Sequence, residues 1–196
     1  VKQTPEVFTH FRKEVEKQSK VRATLPTPKA INYPAEDLKG KEGEIPELEI
    51  WGLGKPEAGS LSWMEVKGGE ESALGRLRSY FWEKDLLKVY KETRNGLIGM
   101  DYSSKFSPWL ALGCISPRTI YEEVKKYERE RKKNDSTYWL IFELIWRDYF
   151  RFIAKKHGDK IFNIQGIRHQ KDSWRRDKAQ FQRWVEGLTG VPFVDA

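Results

Sequence analysis

Soft metal ligands are scarce in this chain: one cysteine, Cys114, and three scattered histidines, His10, His157 and His169, among 196 residues. A single thiol excludes an internal disulfide, and no Cys/His cluster has metal-ligand spacing, so a reducing compartment and a metal-free protein are expected. Long apolar runs are lacking too; none reaches the roughly 20 residues that cross a bilayer. The start, Val1-Lys2-Gln3-Thr4-Pro5, has neither a signal peptide's apolar core nor an initiating Met. The end, Val191-Pro192-Phe193-Val194-Asp195-Ala196, breaks off in mid-pattern without polar fraying, so a fragment at both ends is expected. Period-two alternation is also missing, which removes the signature of half-buried strands and leaves an all-α fold.

What is present is charge and aromatic surface. Lys and Arg number 36 against 29 Asp and Glu, a formal net charge of +7 that favours polyanionic partners such as nucleic acid. Eight Trp, eight Tyr and ten Phe must gather in a core, a stacking surface or a chromophore pocket. The length suits one principal core with some extra material.

Phe8, Phe11 and Val15 mark a short amphipathic helix over residues 9–21, a tail or exit helix of an upstream domain covering residues 1–22. Residues 23–64 read as an interdomain linker, because Pro26, Pro28, Pro34, Pro46 and Pro56 fall there with five glycines and few periodic apolar residues. Residues 65–196 then read as helix after helix. Gly68-Gly69-Glu70-Glu71 opens the first. Ser107-Pro108 and Ser116-Pro117 each set an N-cap hydroxyl before a first-turn proline, with Gly113 as the stop between them. A helix over residues 136–156 is apolar on nearly all sides and therefore buried. A last helix runs from about Asp177 to Gly187.

Three features could carry chemistry. The run Asp101-Tyr102-Ser103-Ser104-Lys105-Phe106-Ser107-Pro108 packs hydroxyls and a cation into a loop before a helix N-terminus, which suits a phosphate or pyrophosphate; the plain alternative is a capped, solvated turn. Glu143, Trp146, Arg147 and Phe150 share one face at offsets of three, four and seven. Buried charge there is paired or serves a ligand, and an i,i+4 salt bridge between Glu143 and Arg147 is the plain alternative. Trp146 is either core or a stacking ring for a base. The basic runs Lys125-Lys126, Arg131-Lys132-Lys133 and Lys155-Lys156 read as solvated helix faces.

Long blocks carry a resemblance. Tyr90-Lys91-Glu92-Thr93-Arg94-Asn95-Gly96, the run 101–111 that includes Trp109-Leu110-Ala111, Gly113-Cys114-Ile115-Ser116-Pro117-Arg118, the run 142–150 from Phe142-Glu143 to Tyr149-Phe150, and Trp184-Val185-Glu186-Gly187-Leu188-Thr189-Gly190-Val191-Pro192 resemble the cryptochrome/photolyase family, DASH-type above all. They span about the last two thirds of the chain. The resemblance implies the first part of a helical FAD-binding domain. It assigns Tyr90, Ser103, Ser104, Lys105, Phe106, Ser107 and Arg147 to FAD, and Arg94, Glu143 and Trp146 to DNA. Trp146 would stack on a flipped-out pyrimidine dimer, Glu143 would hydrogen-bond one of its bases, and Trp174 would be the solvent-side member of an electron-transfer chain. It implies blue-light-driven cyclobutane-dimer repair by a deoxyribodipyrimidine photo-lyase, favouring single-stranded or looped-out DNA. A folate-type antenna pigment would sit in an upstream domain. The runner-up is a blue-light receptor that binds FAD and DNA or a protein partner without repair; a third reading is a basic nucleic-acid-binding module without cofactor. A monomer is expected, in a bacterial cytoplasm, or in a chloroplast or mitochondrion. The residues here stop short of the family's isoalloxazine contacts and two inner tryptophans, so the piece alone is expected to bind FAD poorly and to repair nothing.

Overall fold

Residues 3–30, 40, 43–54, 66–96, 99–170, 173 and 175–195 are described by a computed structural model of the chain. Among them every regular element is helical and no strand occurs. The chain divides into two units, residues 5–149 and residues 150–196 with 1–4.

In the larger unit, α1 (Phe8–Gln18) is anchored by Phe8 and Phe11, both 7% exposed. Within residues 23–64, the described parts hold a single 3-10 turn, Leu48–Trp51. Thr24 is tied down there: its N–H and hydroxyl each donate to the Glu122 carboxylate at 2.8 Å. α2 (Glu70–Arg78) begins where the two glycines and two acids place it, with Glu70 and Glu71 in the first turn and Arg76 and Arg78 in the last, signs that suit the helix dipole. It runs into a π turn over Ser79–Glu83, closed by Lys84 N–H donating to the Ser79 carbonyl at 2.9 Å. Short helices α3 (Tyr90–Thr93) and α4 (Ser107–Leu112) follow, then α5 (Pro117–Glu130) and α6 (Asp135–His157), of which residues 135–149 belong to this unit.

Ser116 caps α5 as its Ser-Pro pair predicts, accepting from Arg118 N–H. Gly113 ends α4 at φ 76, the left-handed region where a Cβ is strained. Ser107 departs from expectation: it is the first helical residue of α4, Phe106 holds the cap position, and no side chain caps this end. α6 starts at Asp135, one residue before the expected start at 136. Asn134 and Thr137 form a reciprocal cap, Asn134 N–H donating to Thr137 Oγ1 at 3.2 Å and Thr137 N–H to Asn134 Oδ1 at 3.1 Å. Ser136 is thereby released to bridge α3: its hydroxyl accepts from Lys91 N–H at 2.9 Å and donates to Glu92 at 2.7 Å.

The core of this unit gathers Leu77, Tyr80, Phe81, Leu87, Ile120, Val124 and Tyr127 with Phe106 and Trp109. α6 packs against α1 along one stripe. It is not buried on all sides, as its composition suggested: Phe150 is 60% exposed and Phe152 41%. A helix buries only the stripes that neighbours cover: within residues 135–149 α1 covers one, and Phe150 and Phe152 already belong to the smaller unit.

Asp85 ties α5 to the turn after α2. It sits at φ 53 and accepts from Tyr127 Oη at 2.6 Å, Arg131 Nη1 at 3.0 Å and Lys88 Nζ at 2.5 Å. Lys88, then Tyr127, hold its carboxyl down to about 2. A folded-state value below the unfolded one means stabilisation that is full above about pH 4 and disappears as pH falls toward 2. The melting temperature is therefore expected to drop over that window. Asp85→Asn, which tolerates the left-handed backbone, should be less stable at neutral pH and lose that part of the slope; an unchanged slope in a pH series of thermal melts would remove Asp85 as its source.

In the smaller unit, Lys156 Nζ donates to the Thr4 carbonyl at 2.7 Å. α7 (Lys178–Val185) is capped by Asp177, which accepts from Ala179 and Gln180 N–H, each at 3.0 Å. α8 (Pro192–Asp195) closes the unit, with Asp195 accepting from Thr189 N–H at 2.9 Å and Gly190 N–H at 2.8 Å.

Candidate functional site

Arg76 shapes the loop over residues 99–106, although the motif reading passes it over. It stands on α2 in register with Ala73, Leu77 and Tyr80, a charged residue on an apolar stripe, and only 9% of it is exposed. Its Nε donates to the Ser104 carbonyl at 3.0 Å, Nη2 to the carbonyls of Met100 at 2.6 Å and Ser103 at 2.9 Å, and Nη1 to Asp101 Oδ1 at 3.3 Å. Its guanidinium also lies 5.0 Å from the Tyr80 ring centroid. Asp101 is held below the usual carboxylate range by Lys84 at 2.7 Å, with Arg76 contributing. At the near end of the loop, a Cβ on Gly96 would fall inside the Tyr102 ring, so glycine is what lets the chain pass.

The loop's amides follow from this bracing. All described peptides are trans, and in a trans peptide the C=O of one residue and the N–H of the next point opposite ways. Carbonyls of Ser103 and Ser104 that turn to Arg76 therefore send the amides of Ser104 and Lys105 the other way. Lys105 has φ 57 and Phe106 lies in the right-handed region, a pairing of opposite hands that gathers successive N–H groups into an anion-binding concavity. The hydroxyls of Ser103, Ser104 and Ser107 hydrogen-bond to no described residue. With six residues, α4 adds little dipole, so the affinity for anions comes from the loop.

Ser103, Ser104, Lys105, Phe106 and Ser107 form one side of a cleft of about 560 Å³ whose other walls are Tyr90, Arg94, Glu143 and Arg147, with Leu110, Leu140 and Leu144 as apolar surface. Arg94 Nη1 lies 2.8 Å from Glu143 Oε1, each side chain about a third exposed. The i,i+4 bridge that the spacing offers is thus not made; Arg147 pairs with Asp148 at 3.2 Å instead. Arg94 also lies 5.6 Å over the ring of Trp139, which stacks on Phe142 at 4.8 Å. Trp139 is a second residue missed by motif reading, its signal only its place one turn before Glu143. Burial, reinforced by the Glu143 carboxylate, pushes the Tyr90 phenol up to about 12, so it is a neutral donor at physiological pH.

Trp146 faces elsewhere. Its ring is stacked on Phe8, centroids 3.4 Å apart and planes 11° from parallel, and meets Tyr149 edge-on at 5.6 Å. The single face expected for Glu143, Trp146 and Arg147 divides because a helix turns about 100° per residue: Trp146 falls about 60° to one side of Glu143 and Arg147 about 40° to the other. Trp174 lies outside the described residues. Among the described residues no group of three or more His, Cys, Asp or Glu could hold a metal ion, and no helix is long and apolar enough to cross a membrane.

The cleft's chemistry fits part of a flavin dinucleotide: unpartnered hydroxyls and turned-out amides for a pyrophosphate, Lys105 and Arg147 for its charge, and Tyr90 with three leucines for a less polar portion.

Comparison with known proteins points the same way. Residues 139–196 match the family described as FAD binding domain of DNA photolyase. The chain is 53% identical over 192 residues to Cryptochrome DASH of Danio rerio, covering 98% of this chain and 36% of that protein. It is 55% identical over 193 residues to Cryptochrome DASH of Gloeobacter violaceus, covering 98% and 38%. The crystal structure of a Synechocystis cryptochrome superposes with a TM-score of 0.83 at 47% identity, over 99% of this chain and 40% of that one. The chain thus spans little more than a third of the length of the curated relatives it matches.

Proposed function

Because the chain belongs to the cryptochrome/photolyase family, we propose that the protein carrying it repairs cyclobutane pyrimidine dimers in single-stranded or looped-out DNA under blue light. Bound FAD, reduced and excited, would supply the electron that opens the cyclobutane ring. The residues here bind and orient. Ser103, Ser104, Lys105, Phe106 and Ser107 would hold the pyrophosphate, with Tyr90 and Arg147 beside it. Arg94 and Glu143 would meet an extruded dimer at the rim, whose weakened pairing makes extrusion cost only a few kcal/mol. Trp174 would pass electrons between solvent and flavin. The observation that carries this reading is the Arg94–Glu143 pair at 2.8 Å on the wall of the same cleft as the serine loop, a carboxylate and a guanidinium placed to exchange each other for a base and a phosphate.

The test uses the full-length protein. Denaturation should release FAD, and illumination with the reduced protein should restore thymines in a dimer-bearing single-stranded oligonucleotide. Glu143→Gln is expected to lower repair about tenfold, one hydrogen bond's worth, with flavin content unchanged; equal repair would remove Glu143 from the dimer. Absence of any repair by a flavin-loaded protein would favour the second reading, a photoreceptor. One observation supports that reading: the Trp146 ring is engaged with Phe8 and must leave it to stack on a base.

A further inference from the structure

We propose that Arg76 is the positioning residue that imposes the anion-binding conformation on the serine loop, so that preference for a flavin bearing phosphates depends on a guanidinium that does not line the cleft. The inference rests on the flavin reading above and adds to it the residue that sets the phosphate side.

Arg76 holds two consecutive peptide planes at once. Nε takes the Ser104 carbonyl and Nη2 takes that of Ser103, 3.0 and 2.9 Å away. Fixing both carbonyls fixes the direction of the next two amides, those of Ser104 and Lys105, and the chain then enters its left-handed turn at Lys105. The third carbonyl, that of Met100 at 2.6 Å, and the Asp101 carboxylate hold the guanidinium from the start of the loop, while the Tyr80 ring lies against its face. Such an arrangement needs a planar fork with several donors at fixed angles. A lysine ammonium in the same place keeps the charge, but its three donors radiate from one nitrogen and do not reproduce the four contacts that Nε, Nη1 and Nη2 make from separate, fixed positions. Arg76 does not itself touch the space where a phosphate would lie, since it is absent from the cleft walls. Its effect passes through the backbone.

Two ligands separate this role from general destabilisation. FAD carries the pyrophosphate and riboflavin carries no phosphate, so a loop that loses its conformation should weaken the first and spare the second. In full-length protein stripped of flavin, fluorescence titration of Arg76→Lys is expected to show FAD binding weakened at least about tenfold, as loss of charge-assisted hydrogen bonds implies, with riboflavin affinity within about twofold of wild type. Loss of both affinities in equal proportion, or retention of both, overturns the inference while leaving the flavin reading intact. If the wild type binds neither ligand, the flavin reading fails and takes this inference with it. Should Arg76→Lys not fold, Asp101→Asn carries the test at a half-exposed carboxylate that steadies the same guanidinium. It is expected to narrow the preference for FAD over riboflavin about threefold, and an unchanged ratio overturns the inference.

Discussion

Truncating Trp146 to alanine is expected to lower stability by about 2–4 kcal/mol and, in the same protein, to weaken binding of a dimer-bearing oligonucleotide roughly ten- to a hundredfold. The first effect follows from packing. The Trp146 ring lies flat on Phe8, which is 7% exposed, and Phe8 in turn meets Phe142 at 5.2 Å and Tyr149 at 5.5 Å. Removing the indole strips one wall from the cluster that fastens α1 to α6. The second effect belongs to the proposed role as a stacking ring for an extruded base. Phe8→Ala separates them: it should cost a similar stability, read from denaturant midpoints, yet leave dimer binding within a few-fold of wild type because the indole remains. If Phe8→Ala and Trp146→Ala lose dimer affinity alike, Trp146 acts as core and its place in the DNA site falls.

Which parts of this molecule could be read from sequence depended on how local their causes are. The all-α class was legible because period-two alternation is missing throughout, and the Gly113 stop and the Ser116 cap because each is decided within four or five residues of chain. Ser107 was not, although its Ser-Pro pair is the same, because a left-handed Lys105 lets the turn close one residue earlier and put Phe106 at the cap. The cap of α6 was missed for a related reason: Asn134 and Thr137 satisfy each other, which frees Ser136 for a contact 45 residues away with Lys91. Motif blocks named the residues that line the cleft, but a motif says nothing about what holds its members in place. Arg76 and Trp139 act across 24 to 28 residues and 45 residues of chain respectively, on the loop and on Arg94. Their trace in the sequence is only a cation on an apolar stripe and a tryptophan one turn from a carboxylate. The burial expected of α6 went wrong because composition counts apolar residues, whereas burial depends on which neighbours arrive.

Phe81→Ala is expected to be the most damaging single change in the core, at about 3–5 kcal/mol, and to weaken FAD binding although Phe81 does not line the cleft. Phe81 is fully buried and joins two things the cleft depends on. Its ring meets Tyr127 of α5 edge-on at 6.2 Å, and Phe106 at the end of the serine loop at 6.1 Å. Phe106 is 3% exposed and is both a core residue and a member of the cleft wall, so the loop's far end is held by an aromatic contact while Arg76 holds its middle. Deleting the Phe81 ring leaves a cavity beneath Phe106 into which the loop can settle. Phe81→Leu fills most of that volume and should recover much of the stability and most of the FAD affinity, whereas Phe81→Ala should lose both together. Denaturant melts paired with FAD titration decide it. An Ala variant that loses stability but binds FAD as tightly as wild type would show that the loop keeps its conformation without the core beneath it, and that Arg76 alone suffices.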